Sequence, residues 1–138
     1  MDHTCKLLDL NALKHRSTFR GHVDSVNDVC FKPYSNLFAS ASADKTVSFW
    51  DIRSGLCVST LYGHLNSVNK VRFSLKGDLV ASCDSDGVVK IWDTRMVKEK
   101  SCYDIGPYSA NSVCFDKSGT FVGVASDDGN IKILNDTT

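Results

Sequence analysis

From Ser25 onward, apolar and polar positions alternate in short runs, and clusters of Gly, Asp, Ser and Asn break the runs apart. A period of two between turn-forming residues predicts half-buried β-strands. In the most regular stretch the strands are expected at Ser25–Phe31, Leu37–Ala41, Thr46–Ile52 and Cys57–Tyr62, with "KPYSN", "SADK" and "RSG" turning the chain between them. The matching turns downstream are "SLKGD" and "DKSGT", then "DSDG" and "SDDG", and in these last two Asp-Gly favours a tight hairpin. No segment carries a helical period, so the fold class is all-β.

The pattern repeats. Trp50 and Trp92 lie 42 residues apart, and the same step leads back to Leu8 in "CKLLDL" and forward to Leu134 in "IKILND". Gly21-His22 recurs as Gly63-His64, and "NDVCF" (Asn27 to Phe31) recurs as "NKVRF" (Asn69 to Phe73) and "NSVCF" (Asn111 to Phe115). Four antiparallel strands every forty-odd residues, with Gly-His before the first and Trp-Asp closing the third, form the blade pattern of a β-propeller. Counted by inner strands, blades begin near Ser25, Val68 and Ala110.

These boundaries read the range 1–138 as a partial propeller. Residues 1–20 end a preceding blade, 21–62 and 63–104 are blade-repeats, and 105–138 form a degenerate, incomplete one. Propellers close with typically four to eight blades. An open arc of about three blades is therefore expected to belong to a longer propeller, or to self-associate through its apolar faces and unpaired edges.

Composition narrows the partners. A hydrophobic share of 42% and a charged share of 23% suit a globular protein. Sixteen basic residues balance sixteen acidic ones, so no long-range field draws in nucleic acid or anionic lipid, and neither is expected as the main partner. The start has no signal layout, and no apolar run approaches membrane-spanning length. Cys5, Cys30, Cys57, Cys83, Cys102 and Cys114 include no Cys-x-x-Cys pair and are expected as reduced thiols, mostly inside strands, in a cytoplasmic protein. Asn135-Asp136-Thr137 spells a glycosylation sequon that has no weight without a secretory route.

Two full copies of Gly-His, strand, strand, Asp turn and Trp-Asp at one period resemble WD repeats, and the likeness covers nearly the whole chain. The resemblance implies two hydrogen-bonded networks, one of His22, Ser40, Asp44 and Trp50, the other of His64, Ser82, Asp86 and Trp92. In both copies the serine stands ten residues before the tryptophan and the acid six before it. The residue types make sense physically. A buried indole N–H needs an acceptor, a hydroxyl can accept it while donating to imidazole, and the second ring nitrogen can donate to a carboxylate. Ser, His and Asp also make a hydrolytic triad. That reading requires an exposed nucleophile on a strained elbow, whereas Ser40 and Ser82 fall mid-strand in "FASAS" and "VASCD".

The third unit carries Val124 at the serine position, Leu134 at the tryptophan position and Gly106-Pro107 near the histidine position, with Asp128 kept in a turn. Losing three members together is expected of a network that is worse half-satisfied than absent. His3 and His15 are expected at the surface, "RMVKEKS" as an outer turn, and Asp127-Asp128-Gly129 as a hairpin without the further acids of a calcium loop. Neither metal nor cofactor is implied, and no enzyme is expected, because the inner strands offer mainly Val, Asn, Cys and Phe.

"MDHTCKLLDLN", "SCDSDGVVKIWD" and "YDIGPYSANSVCFDKSG" together resemble the carboxy-terminal propeller of the sperm-associated-antigen WD-repeat family of the axonemal central apparatus. That likeness implies a microtubule-associated scaffold in the axoneme of motile cilia or flagella, with other axonemal proteins as partners. The alternative is an adaptor or substrate-recruiting subunit of another cytosolic complex, such as a ubiquitin ligase or a signalling scaffold. On either reading the expected partner face carries Asp24 and Asn66 from the loops leading into the inner strands. Ala43, Ser85 and Asp127 lie beside the Asp turns.

Overall fold

The computed structural model describes residues 3–9 and 14–135. Thirteen strands follow one another: β1 (Thr4–Asp9), β2 (Lys14–Arg20), β3 (Val26–Phe31), β4 (Leu37–Ser42), β5 (Val47–Asp51), β6 (Cys57–Leu61), β7 (Val68–Phe73), β8 (Leu79–Asp84), β9 (Val88–Asp93), β10 (Lys98–Asp104), β11 (Ala110–Phe115), β12 (Phe121–Ser126) and β13 (Ile131–Asn135). Each pairs antiparallel with its neighbour in sequence. The result is a two-stranded sheet β1-β2, two four-stranded sheets β3-β4-β5-β6 and β7-β8-β9-β10, and a three-stranded sheet β11-β12-β13. All described residues are strand, turn or irregular. The sequon residues Asp136 and Thr137 lie outside the described residues, as does the side chain of His15.

The sheets stack face to face, which explains why the middle strands read as near-continuous apolar and small residues. Every residue of β4 after Leu37 is buried, and so is every residue of β5 before Asp51. Alternation sends the two sets of side chains opposite ways. Phe38 and Trp50 meet Cys5 and Phe19 of the preceding sheet, with the Phe19 ring edge-on to Phe38 at a 4.9 Å centroid separation. Ala39, Ala41, Val47 and Phe49 meet Val68, Val71, Val80 and Trp92 of the next sheet. Ala81, Cys83, Val89 and Ile91 repeat the arrangement against Ala110, Val113, Val122 and Val124. Fully burying such side chains contributes roughly 1.5–3 kcal/mol each, so the cores lie between sheets and bind them into one stack.

Each inner strand skips register at the same place, between Val26 and Asp28, Val68 and Lys70, and Ala110 and Ser112. The extra residues are Asn27, Asn69 and Asn111, and a bulge re-aims the side chain it carries. Asn27 Nδ2 donates to Ser67 Oγ and to the Val68 carbonyl, and Asn69 Nδ2 donates to Ser109 Oγ and to the Ala110 carbonyl. Each blade thus grips the inner strand of the next. A second tie is unrepeated: Asp28 accepts from the Arg72 guanidinium and the Val71 amide across the same interface.

The expectation of core thiols holds for Cys5 and Cys83 only. All six cysteines are free, Cys30 is half-buried, and Cys57, Cys102 and Cys114 are exposed. Cys57 and Cys102 lie on the outer strands β6 and β10, and Cys114 lies on β11 of the last described sheet. Burial pushes the Cys83 thiol up to about 12, against a weaker opposing hydrogen bond from the Lys70 amide.

Candidate functional site

The first network is continuous from indole to carboxylate. Trp50 Nε1 donates to Ser40 Oγ at 2.8 Å, Ser40 Oγ meets His22 Nε2 at 2.6 Å, and His22 Nδ1 meets Asp44 Oδ2 at 2.7 Å. One assignment satisfies every atom: serine donates to Nε2, and the Nδ1 proton goes to the carboxylate. Ser40 and Ser82 are 0% exposed and both hydroxyls are committed, which excludes these serines as nucleophiles. The glycine before each histidine has a steric reason. A Cβ at Gly21 would stand 2.9 Å from the Trp50 ring, and one at Gly63 would stand 3.3 Å from Trp92.

The second network corrects the spacing argument. Trp92 Nε1, Ser82 Oγ and His64 Nε2 repeat the first copy at 2.8 and 2.6 Å, but His64 Nδ1 meets Asp84 Oδ2 at 2.8 Å. Asp86, the acid at the expected position, is exposed and accepts instead from Asn66 Nδ2 at 2.9 Å. Strand geometry decides this. Ser82 and Asp84 are alternate residues of β8 and share a face, so both reach the imidazole. In the first blade the matching residue is Ser42, whose hydroxyl donates to the Ser25 carbonyl at 2.8 Å, leaving the turn residue Asp44 to serve.

Burial by itself would raise both carboxyls. For Asp44 the hydrogen bonds from Thr46 and His22, with attraction to His22, outweigh burial and hold the group below the usual carboxylate range. For Asp84 the His64 bond and the amides of Val88 and Asp86 do the same. In the third sheet the equivalent positions are apolar: Val124 is buried, and Leu134 packs into the adjoining core. Asp128 instead accepts from the Asn130 amide at 2.9 Å within its own turn.

Antiparallel pairing sorts the loops into two ends. The Asp turns and the loops leading into the inner strands share one end, joined by Ala43 N to Ser25 O, Ser85 N to Ser67 O, and Asp127 N to Ser109 O. Asp24, Ala43, Asn66, Ser85 and Asp127 therefore stand together. Three of them, however, are engaged by neighbouring loop residues. Asn66 binds Ser67 N and Asp86, Ser85 Oγ meets Asn69 Oδ1, and Asp127 accepts from Asn111. Asp24 is exposed, with one oxygen on Ser25 N.

What projects from this end is apolar: Val23 (82% exposed), Leu65 (82%), Tyr62 (75%) and Tyr108 (54%). Sequence reasoning missed these side chains. Val23 and Leu65 are one repeat apart and apolar in loops where polar residues are usual, a signal that was available. Between Val23 and Tyr62 lies a recess of about 230 Å³, floored by His22, Asp44, Thr46 and Ser48. In the second blade Lys90 replaces Ser48 and pairs with Glu99.

The inner strands also hold more charge than expected: Asp28 pairs with Arg72 and lies 4.0 Å from Lys70. One carboxylate faces two cations there, so the cluster holds a single excess positive charge. Among the described residues no three His, Cys, Asp or Glu side chains cluster as metal ligands.

Stacked four-stranded antiparallel sheets, each latched by Trp, Ser, His and Asp, define blades of a β-propeller. The family profile described as "WD domain, G-beta repeat" matches residues 13–51, 55–93 and 101–135, and the chain belongs to the WD-repeat family. WD repeats build protein-interaction scaffolds.

Part of the chain is similar to THO complex subunit 3 of Arabidopsis thaliana, 39% identical over 62 residues, covering 41% of this chain and 20% of that protein. WD repeat-containing protein 82 of Drosophila melanogaster is 39% identical over 57 residues, covering 41% and 18%. Set1 complex component swd2 of Schizosaccharomyces pombe is 36% identical over 56 residues, covering 41% and 16%. The matched stretches span a fifth or less of these relatives.

Proposed function

We propose that the protein is a docking subunit of a multiprotein assembly and that its partner binds at the Asp-turn end, over Val23, Leu65 and Tyr108. The observation that carries this is the contrast at that end. Polar groups of the loops are tied to one another, while large apolar side chains from three successive blades stand in solvent. Such a surface offers desolvation area at little cost in unpaired polar groups.

The assembly proposed is the axonemal central apparatus, in the cytoplasm and cytoskeleton of motile cilia or flagella. Support comes from the likeness of the three quoted stretches to the sperm-associated-antigen family. A second reading, an adaptor or substrate-recruiting subunit of another cytosolic complex, is favoured by relatives whose names are those of complex subunits. A tagged chain expressed in ciliated cells separates the two. Enrichment along the axoneme, lost in a Val23→Asp/Leu65→Asp variant that still folds, supports the first reading. Exclusion from the axoneme with capture of a soluble complex supports the second. Unchanged capture by the variant overturns the docking face.

A further inference from the structure

The opposite end of the stack differs in charge and shape. Phe31, Phe73 and Phe115 end the three inner strands at the 42-residue step. With Pro33 and Leu75 they line an open groove of about 310 Å³. Its floor is set by packing: Phe73 stacks on Phe49 at 5.9 Å, and Phe31 meets the edge of Phe38 at 6.0 Å. Phe31 nevertheless remains 61% exposed and Leu75 57% exposed.

The charges here are arranged unequally. Asp51, Asp78, Asp93 and Asp116 each close their own turn at this end, Asp116 from within the groove lining. Asp116 accepts from Ser118 Oγ and from the amides of Thr120 and Phe121, and Asp78 accepts from Ser74 Oγ. Asp51 and Asp93 accept from the amides of Arg53 and Arg95. Lys32, Lys76 and Lys117, one from each inner turn, have no carboxylate within ion-pair distance among the described residues. The Lys32 stem lies across Gly77 of the neighbouring blade, next to Pro33 of the groove, and Lys117 lines the groove itself. Apolar floor and outward ammonium groups together fit one chemistry.

We infer that this groove is a second docking site, for an extended protein segment in which leucine-like or aromatic side chains alternate with carboxylates. The apolar side chains would cover Phe31, Leu75 and Phe115, and the carboxylates would meet Lys32, Lys76 and Lys117. A nucleic acid would find the same ammonium groups. However, a chain of zero net charge provides no field to gather a polyanion, and a floor of Phe, Pro and Leu is matched by apolar side chains. The site stands at the other end of the inner strands from Val23 and Leu65, so each can fail without the other. A scaffold holding both could bridge two partners.

The test uses the full chain and fluorescein-labelled 12-residue probes read by anisotropy: alternating Glu–Leu, alternating Lys–Leu, alternating Glu–Ser, and a single-stranded 12-mer of oligouridine. The Glu–Leu probe should bind at least tenfold more tightly than the others and weaken with added salt. Phe31→Ser and the pair Lys76→Glu/Lys117→Glu should each weaken it about tenfold, while Val23→Asp leaves it unchanged. Circular dichroism checks that the variants keep their strands. Equal binding of Lys–Leu, preference for oligouridine, no binding of Glu–Leu, or indifference to both folded groove variants would each overturn the inference.

Discussion

Asn27 Nδ2 stands 2.9 Å from the carbonyl oxygen of Val68, reaching from the inner strand of one blade to that of the next. The distance from Asn69 Nδ2 to the Ala110 carbonyl is 2.8 Å. Asn111 has the same bulge, but its amide turns to Asp127 of its own sheet. The three therefore form a natural comparison.

Asn27→Ala and Asn69→Ala each leave a buried inter-blade carbonyl unpaired, an expected cost of about 1–3 kcal/mol. Asn111→Ala removes a surface contact and should cost less than about 0.5 kcal/mol. Urea midpoints of the three variants measure the difference. Equal losses would mean that the bulge itself, and not its grip on the next blade, sets the stability.

Asp84→Ala should destabilise far more than Asp86→Ala. The first leaves buried His64 without its acceptor, at a cost on the order of 3 kcal/mol. The second loses an exposed bond to Asn66, costing under about 1 kcal/mol. Thermal melts of the two variants decide whether shared strand face or equal spacing names the network acid.

The networks also predict acid sensitivity. Asp44 and Asp84 are held below the ordinary carboxylate value, against burial, by their hydrogen bonds and histidine partners. Above an unfolded-state value of about 3.9 both states are ionised and the full contribution is present. As pH falls below it the unfolded chain binds protons first, and the contribution disappears as pH passes through the folded values. Stability measured by urea from pH 6 to 2.5 should drop most steeply below about pH 4. The Asp84→Ala protein should show a shallower drop.

Gly87 and Gly129 occupy equivalent Asp-Gly turns with φ of +81° and +84°. A Cβ at Gly87 would stand 2.3 Å from the Gly106 carbonyl and 2.6 Å from that of Tyr108, whereas one at Gly129 meets nothing within 4 Å. Gly129→Ala should cost only the left-handed backbone strain, about 1 kcal/mol. Gly87→Ala must also displace the loop into the next blade, raising the loss to about 2–4 kcal/mol. Calorimetry of the pair separates strain from collision.

The strand order and the Trp–Ser pairs were legible because β-pairing fixes register, and register preserves spacing: ten residues separate Ser40 from Trp50 and Ser82 from Trp92. The acid escaped for a related reason. Counting equal distances led to Asp86, whereas asking which residue shares a face with Ser82 leads to Asp84. Asn27, Asn69 and Asn111 were visible as a recurring letter, but their role depends on a register skip that alternation does not show. Val23 and Leu65 were hidden by the expectation that loops are polar, and Asp28, Lys70 and Arg72 by a reading of the inner strands that weighed the apolar letters alone.

The profile matches begin at residues 13, 55 and 101, just before β2, just before β6 and within β10, and the first two end at Asp51 and Asp93, so each unit of sequence supplies outer-strand residues of one sheet and three strands of the next. A cut at a unit boundary would therefore strip one strand from a blade rather than release an intact blade. Covalent handover of one strand ties each blade to the next through the chain itself, in addition to the packing between them.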